Sequence, residues 1–148
     1  WDQMVDTNVK GLLYVSRCII PLLKQQEESH IINISSIAGQ ETYASGNIYC
    51  ATKHAVQSIS KGMRIDLLPY NIKVTSICPG LAETEFSLVR FKGDEDTAEK
   101  VYDGYEPLKA VDIAELVLFA YQRPSHVGIN EITVTPTAQA NSFYLNKQ

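Results

Sequence analysis

Residues 33–39 read Asn-Ile-Ser-Ser-Ile-Ala-Gly, and residues 49–53 read Tyr-Cys-Ala-Thr-Lys. Ile31-Ile32-Asn33-Ile34 is a short apolar run that reads as a buried strand ending in Ser35 and Ser36. Tyr49 and Lys53 stand four residues apart, and Ala55, Val56, Ile59 and Met63 follow them at helical spacing. On a helix, positions i and i+4 share a face, with Cβ atoms roughly 5–6 Å apart. A phenol is therefore expected one turn from an ammonium. A hydroxyl at the strand's carboxyl end faces that helix across a loop, in the crevice where open α/β sheets bind ligands.

The chemistry of such a trio is proton transfer to or from an alcohol or carbonyl. A free tyrosine titrates near pH ~10 and is a poor base at neutral pH, whereas a nearby cation favours the phenolate. Bringing the phenol toward neutrality takes about 3–4 kcal/mol, at ~1.36 kcal/mol per pH unit. A close cation in a partly dry site supplies much of that. Ser36 would donate a hydrogen bond to the substrate oxygen as charge develops there. A Tyr and a Lys on one helix face are ordinarily a packed ring and a solvated stem. What sets this pair apart is its company.

Ser36 precedes Tyr49 by thirteen residues, and Asn8, within Asp6-Thr7-Asn8-Val9-Lys10-Gly11, precedes Ser36 by twenty-eight. Pro79-Gly80-Leu81 is followed by Thr84. In these four features, which span more than half of the chain, the sequence resembles the short-chain dehydrogenase/reductase family. The resemblance implies that Tyr49 is the general acid/base and that Lys53 lowers its pKa and binds the nicotinamide ribose. Ser36 would polarise the substrate oxygen, and Asn8 would hold a water for a proton relay. Pro79, Gly80, Leu81 and Thr84 would contact the cofactor, with Thr84 on the nicotinamide carboxamide. Residues 79–94 are similar to the NADP-dependent 3-hydroxy acid dehydrogenases that act on serine and L-allo-threonine. Pro107-Leu108, Asp112-Ile113-Ala114 and Pro136-Thr137 fit the same subgroup. NADP is accordingly the expected cofactor, with NAD an open alternative. A short hydroxy acid is the expected substrate, and its carboxylate would pair with Arg90, because guanidinium binds carboxylate bidentately. A solvated Arg90 is the plainer reading, and Lys92 is the runner-up.

Composition bounds the answer. The chain has 148 residues, 45% hydrophobic and 20% charged, the balance of a globular domain. Its formal charge of −4 argues against nucleic-acid partners. No apolar run approaches the ~18–20 residues of a membrane span. Three cysteines, Cys18, Cys50 and Cys78, lie without regular spacing, which points to a reducing compartment such as the cytoplasm. Cys50 reads as a buried small hydrophobe. His30, His54 and His126 share no metal-ligand spacing. Among the eight glycines no G-x-G-x-x-G arises, and the chain opens at Trp1. The expectation is residues 1–148 as the catalytic and substrate-loop part of a dehydrogenase domain, without the Gly-rich βαβ part that would hold the pyrophosphate.

The pattern predicts a helix from about Trp1 to Gln26, kinked or restarted at Pro21, with an apolar side wider than one sheet contact needs. The resemblance implies that this helix and the Tyr-bearing helix pack on their copies in a homodimer or homotetramer. A strand over His30–Ser35 leads to a loop through Gly46, where Tyr43 reads as a packed aromatic. Asn47 or Ser45 would cap the next helix, which Pro69 ends after Leu68. Residues 72–78 read as a second strand. Leu81–Pro107 reads as a long irregular connection, a binding lid or a disordered stretch. A helix over Asp112–Gln122, a last strand over Asn130–Thr135, and an aromatic tail that frays or reaches a neighbouring subunit complete the chain. The expected fold is α/β: the C-terminal portion of a Rossmann-like, doubly wound parallel sheet, with three strands, long helices and one open sheet edge. Two other readings remain open. One is a reductase of the same family acting on a sugar, a steroid or a simple ketone. The other is a truncated, non-catalytic chain that binds a partner through its apolar helices.

Overall fold

The computed structural model describes residues 1–148. The chain starts as a helix that changes its winding. α1 (Asp2–Val5) passes into a π-wound turn over Asp6–Gly11 and then into α2 (Leu12–Leu23). Nothing in the apolar spacing announces the π winding. α2 runs through Pro21, which lies on its exposed side, and stops at Leu23, where the polar run from Lys24 to Glu28 has nothing to bury.

β1 (Ser29–Ile34) is followed by a tight 3₁₀ turn over Ile37–Gly39, whose start is capped by the Ser36 hydroxyl. That turn sits hard against α3 (Asn47–Asp66). A Cβ at Gly39 would come within 2.7 Å of the Lys53 carbonyl oxygen and 2.8 Å of Ser35 Oγ. α3 starts differently from the expectation. Its N-cap is Gly46; Ser45 adopts a left-handed φ of 62°, and Asn47 is already the first helical residue. The reason is steric, because a Cβ at position 46 would lie 2.2 Å from the Tyr43 ring. At the other end a 3₁₀ turn over Leu68–Tyr70, containing Pro69, closes through left-handed Asn71.

β2 (Ile72–Pro79) is the central strand and the most buried element. It pairs in parallel with β1 on one side, Ile34 opposite Ile77, and with β5 (Glu131–Val134) on the other, Pro79 opposite Val134. All three strands are parallel, as the pattern predicts, and the outer edge of β1 carries no partner. Met63 of α3 and Leu67, which caps its end, pack on Ile72 and Val74 of β2, with Ile20, Leu23, Ile31 and Ile59 around them. Each such side chain contributes about 1.5–3 kcal/mol on leaving water, so this contact fixes α3 against the sheet.

The segment expected to be irregular is folded. It holds β3 (Ala82–Glu83), α4 (Glu85–Arg90), α5 (Glu95–Lys100) and β4 (Leu108–Lys109), with β3 and β4 paired in parallel. Its helices start on side-chain caps: Thr84 Oγ1 accepts from the Phe86 N–H (3.2 Å) and Asp94 Oδ1 from the Thr97 N–H (3.1 Å). α6 (Ala110–Tyr121) begins two residues ahead of expectation, because Asp112 reaches back to the Lys109 N–H at 2.6 Å. No helix is long and apolar enough to cross a membrane.

The tail is ordered as a turn of its own. Residues 138–146 turn back on themselves, with Gln139 bridged to Leu145 and the Asn146 N–H bonded to the Ala138 carbonyl at 2.9 Å. The turn is built on Asn141, whose Oδ1 accepts from the Phe143 and Tyr144 N–H groups at 2.8 and 2.9 Å.

Candidate active site

The carboxyl ends of β1 and β2 lie side by side, and α3 crosses them. This brings Ser36, Tyr49, Lys53 and the Pro79–Leu81 turn together. Ser36 Oγ donates to the Pro79 carbonyl (3.3 Å) and accepts from the Ala38 N–H (3.1 Å). The Lys53 ammonium lies 5.8 Å from the centre of the Tyr49 ring, and it donates to the Ile34 carbonyl at 3.1 Å. Phenol and ammonium therefore share one side of α3, as their spacing requires.

The electrostatics differ from expectation. Burial pushes the Tyr49 hydroxyl above its usual value; Tyr43 and Cys50 push the same way, while Ser36 and Arg90 oppose them. Lys53 has no part in that balance. Burial lowers its own pKa, and its charge is spent on the Ile34 carbonyl. In this arrangement the Tyr49 hydroxyl keeps its proton at neutral pH.

Asn8 sits on the π-wound turn, and its Nδ2 donates to Thr52 Oγ1 at 3.0 Å. Thr52 in turn donates to the Tyr49 carbonyl at 2.7 Å. The side-chain amide N–H of Asn8 is thus committed to α3 between Tyr49 and Lys53. Thr52, buried and on no sequence-derived roster of site residues, is the intermediary; its only mark in the sequence is a position inside Tyr-x-x-x-Lys.

The residues expected to meet the cofactor are pinned by the chain itself. The Gly80 N–H bonds the Val134 carbonyl at 2.7 Å. The Leu81 N–H donates to Gln139 Oε1 (2.9 Å) and its carbonyl accepts from the Leu108 N–H (3.0 Å), so Leu81 has no N–H left to offer a ligand. Thr84 is exposed; its oxygen caps α4 as an acceptor, and its O–H is left to donate.

α4 faces the site. The Phe86 ring lies 5.4 Å from that of Tyr49, tilted by 47°. The Arg90 guanidinium stands 5.8 Å from the Tyr43 ring centre, on an otherwise exposed side chain. Tyr43 packs its ring against Gly46 and meets Arg90 on its other side. α4 is held by Tyr102, whose hydroxyl donates to the Ala82 carbonyl (2.9 Å) and meets Ser87 Oγ at 2.6 Å. Cys50 and Cys78 are buried, the latter raised to about 11 by burial. No group of His, Cys, Asp or Glu side chains is assembled to hold a metal ion.

A family model described as short chain dehydrogenase matches residues 1–94, the stretch that carries Asn8, Ser36, Tyr49, Lys53 and Thr84. The chain belongs to that family. Among curated short-chain dehydrogenases, it is 45% identical over 141 residues to the NADP-dependent 3-hydroxy acid dehydrogenase YdfG of Escherichia coli, covering 95% of this chain and 57% of that protein. It is 40% identical over 145 residues to sulfoacetaldehyde reductase 2 of Chromohalobacter salexigens, covering 97% and 58%. In fold it matches a closed form of serine dehydrogenase complexed with NADP+, at a TM-score of 0.93 and 43% identity, over 100% of this chain and 60% of the other. The chain thus spans little more than half the length of the dehydrogenases it matches.

Proposed function

We propose that the whole protein catalyses the reversible, NADP-dependent oxidation of a short 3-hydroxy acid or β-hydroxy amino acid, with Tyr49 as the acid/base. The observation that carries this reading is the convergence of Ser36, Tyr49 and Lys53 at the carboxyl ends of two parallel strands. The residues present fit the nicotinamide half of the cofactor: Thr84 keeps a free O–H, and Gly80 closes a pinned turn beside Ser36. Lys53 and Tyr49 would border its ribose. When bound, the cofactor takes up or gives back the hydride on the carbon that bears the reacting oxygen.

The chain's residues handle the proton. In the reducing direction the Ser36 O–H turns from the Pro79 carbonyl to the carbonyl oxygen of the substrate, and Tyr49 passes its proton to that oxygen as charge builds there. In oxidation the proton returns to a Tyr49 phenolate. Arg90, beside Tyr43, receives the acid group of the substrate. The named substrates of two relatives, a 3-hydroxy acid and sulfoacetaldehyde, both carry one. Assembly as a homodimer or homotetramer belongs to the same proposal, supported by Leu13, Val15, Ile19 and Leu22 left exposed along α2.

The test is NADPH formation by the whole protein on a panel of hydroxy acids and matched neutral alcohols. Tyr49→Phe should lower kcat by at least a hundredfold on every substrate. Arg90→Ala should raise KM about tenfold or more for acids and leave neutral alcohols nearly unchanged. An active Tyr49→Phe enzyme sinks the acid/base assignment, and equal losses on both substrate classes sink the role of Arg90.

A further inference from the structure

The tail hairpin touches three parts of the site at once. The Ser142 N–H bonds Glu41 Oε2 (2.8 Å) in the loop after Ser36, and the Gln148 N–H bonds the Gly104 carbonyl (2.8 Å) at the end of the α4–α5 segment. The third contact is the deepest. Gln139, 6% exposed, sends its amide oxygen to the Leu81 N–H at 2.9 Å. It passes so close to Gly80 that a Cβ there would lie 2.2 Å from that oxygen. The residue before Gly80 is Pro79, whose carbonyl accepts from Ser36 Oγ.

We infer that Gln139 is a positioning residue for catalysis: together with Val134 it fixes the Pro79–Leu81 turn, and the Pro79 carbonyl of that turn holds the Ser36 oxygen in place until the substrate takes over the hydroxyl's hydrogen bond. A side chain far downstream, in the tail, thereby orients the group that polarises the substrate. Gly80 is required because any larger residue displaces the amide that holds the turn. A half-buried N–H left without its acceptor is costly to keep where it is, so the turn shifts and Ser36 follows. The inference rests on Ser36 acting on the substrate oxygen.

The experiment compares Gln139→Met, Gly80→Ala and the double variant in the whole protein. Each single change is expected to lower kcat about tenfold or more with the hydroxy-acid KM within about threefold, and the double variant to be no worse than the poorer single, because both act on one contact. Amide exchange at Leu81 should quicken at least tenfold in Gln139→Met, a readout independent of turnover. Unchanged kcat in Gln139→Met, or losses that multiply in the double variant, overturns the inference. Should Gln139→Met fail to fold, Gln139→Glu keeps an oxygen opposite the Leu81 N–H: kcat near that of the unmodified enzyme supports the contact, and a loss as large as that of Gly80→Ala overturns it. Ser36→Ala separates the two levels, since full activity in that variant removes the reading of Ser36 itself whatever Gln139 does.

Discussion

Lys53 gives its ammonium to the main-chain carbonyl of Ile34, at 3.1 Å, while its stem passes the Tyr49 ring. The last residue of β1 is therefore tied to the second turn of α3. The lysine acts here as a strut between strand and helix as much as a source of charge.

Lys53→Met removes both the strut and the cation. The expected outcome is a fall in kcat/KM of about a hundredfold, with Lys53→Arg recovering part of it by keeping charge and donors. Steady-state kinetics of the two variants measures this. Equal loss in both would mean that the ammonium's geometry, and not its charge, is what the site needs.

Tyr49 predicts a pH dependence. Burial raises its pKa, with Tyr43 and Cys50 adding to the rise and Ser36 and Arg90 opposing it. Reduction needs the protonated phenol and should be sustained through neutral pH, whereas oxidation needs the phenolate and should climb into the alkaline range. Arg90→Ala withdraws a positive charge that favours the phenolate, so the alkaline limb should move to higher pH. A profile of kcat/KM against pH checks the direction, and a move to lower pH would contradict the geometry around Arg90.

Tyr102 holds α4 by two hydrogen bonds, to Ala82 and to Ser87. Tyr102→Phe keeps the ring and deletes both, leaving Ser87 buried without that partner. Denaturant unfolding should show a loss of about 1–3 kcal/mol. Because Phe86 and Arg90 ride on the same helix, KM for an acid substrate should rise as well.

The strand–helix–strand core was legible because its apolar residues recur at the right periods and Pro69 and Pro79 punctuate them. The trio of Ser36, Tyr49 and Lys53 was legible because helical spacing alone brings Tyr49 and Lys53 to one side. Thr52 and Gln139 were not. Their roles come from what tertiary packing places opposite them, and an amide in an otherwise polar tail looks like any solvated residue. The substrate segment was misjudged for a different reason. Its caps, Thr84 and Asp94, stand in the sequence in plain view, but helices of six residues leave too short a periodicity to register. The lowering of Tyr49 by Lys53 failed because spacing reports proximity and says nothing of which carbonyl competes for the ammonium.

His30 supplies a stability prediction. Its Nε2 bonds Thr75 Oγ1 at 2.7 Å, while Nδ1 is buried without a partner, and burial first and then Lys73 lower its pKa. The folded state takes up this proton less readily than the unfolded chain, so its contribution is intact above the ordinary histidine value near ~6.5. Stability should decline as pH falls through that value. Thermal unfolding between pH 5 and 8 should show this decline, and His30→Gln should flatten the part that depends on His30.

The π-wound stretch over Asp6–Gly11 makes the number of residues before Gly11 matter. Each residue in a helix turns the chain by about 100°. A single deletion there would let the coil tighten into ordinary α winding and swing Asn8 away from Thr52. The first helix is thus held to a fixed tally of residues by one hydrogen bond to its neighbour.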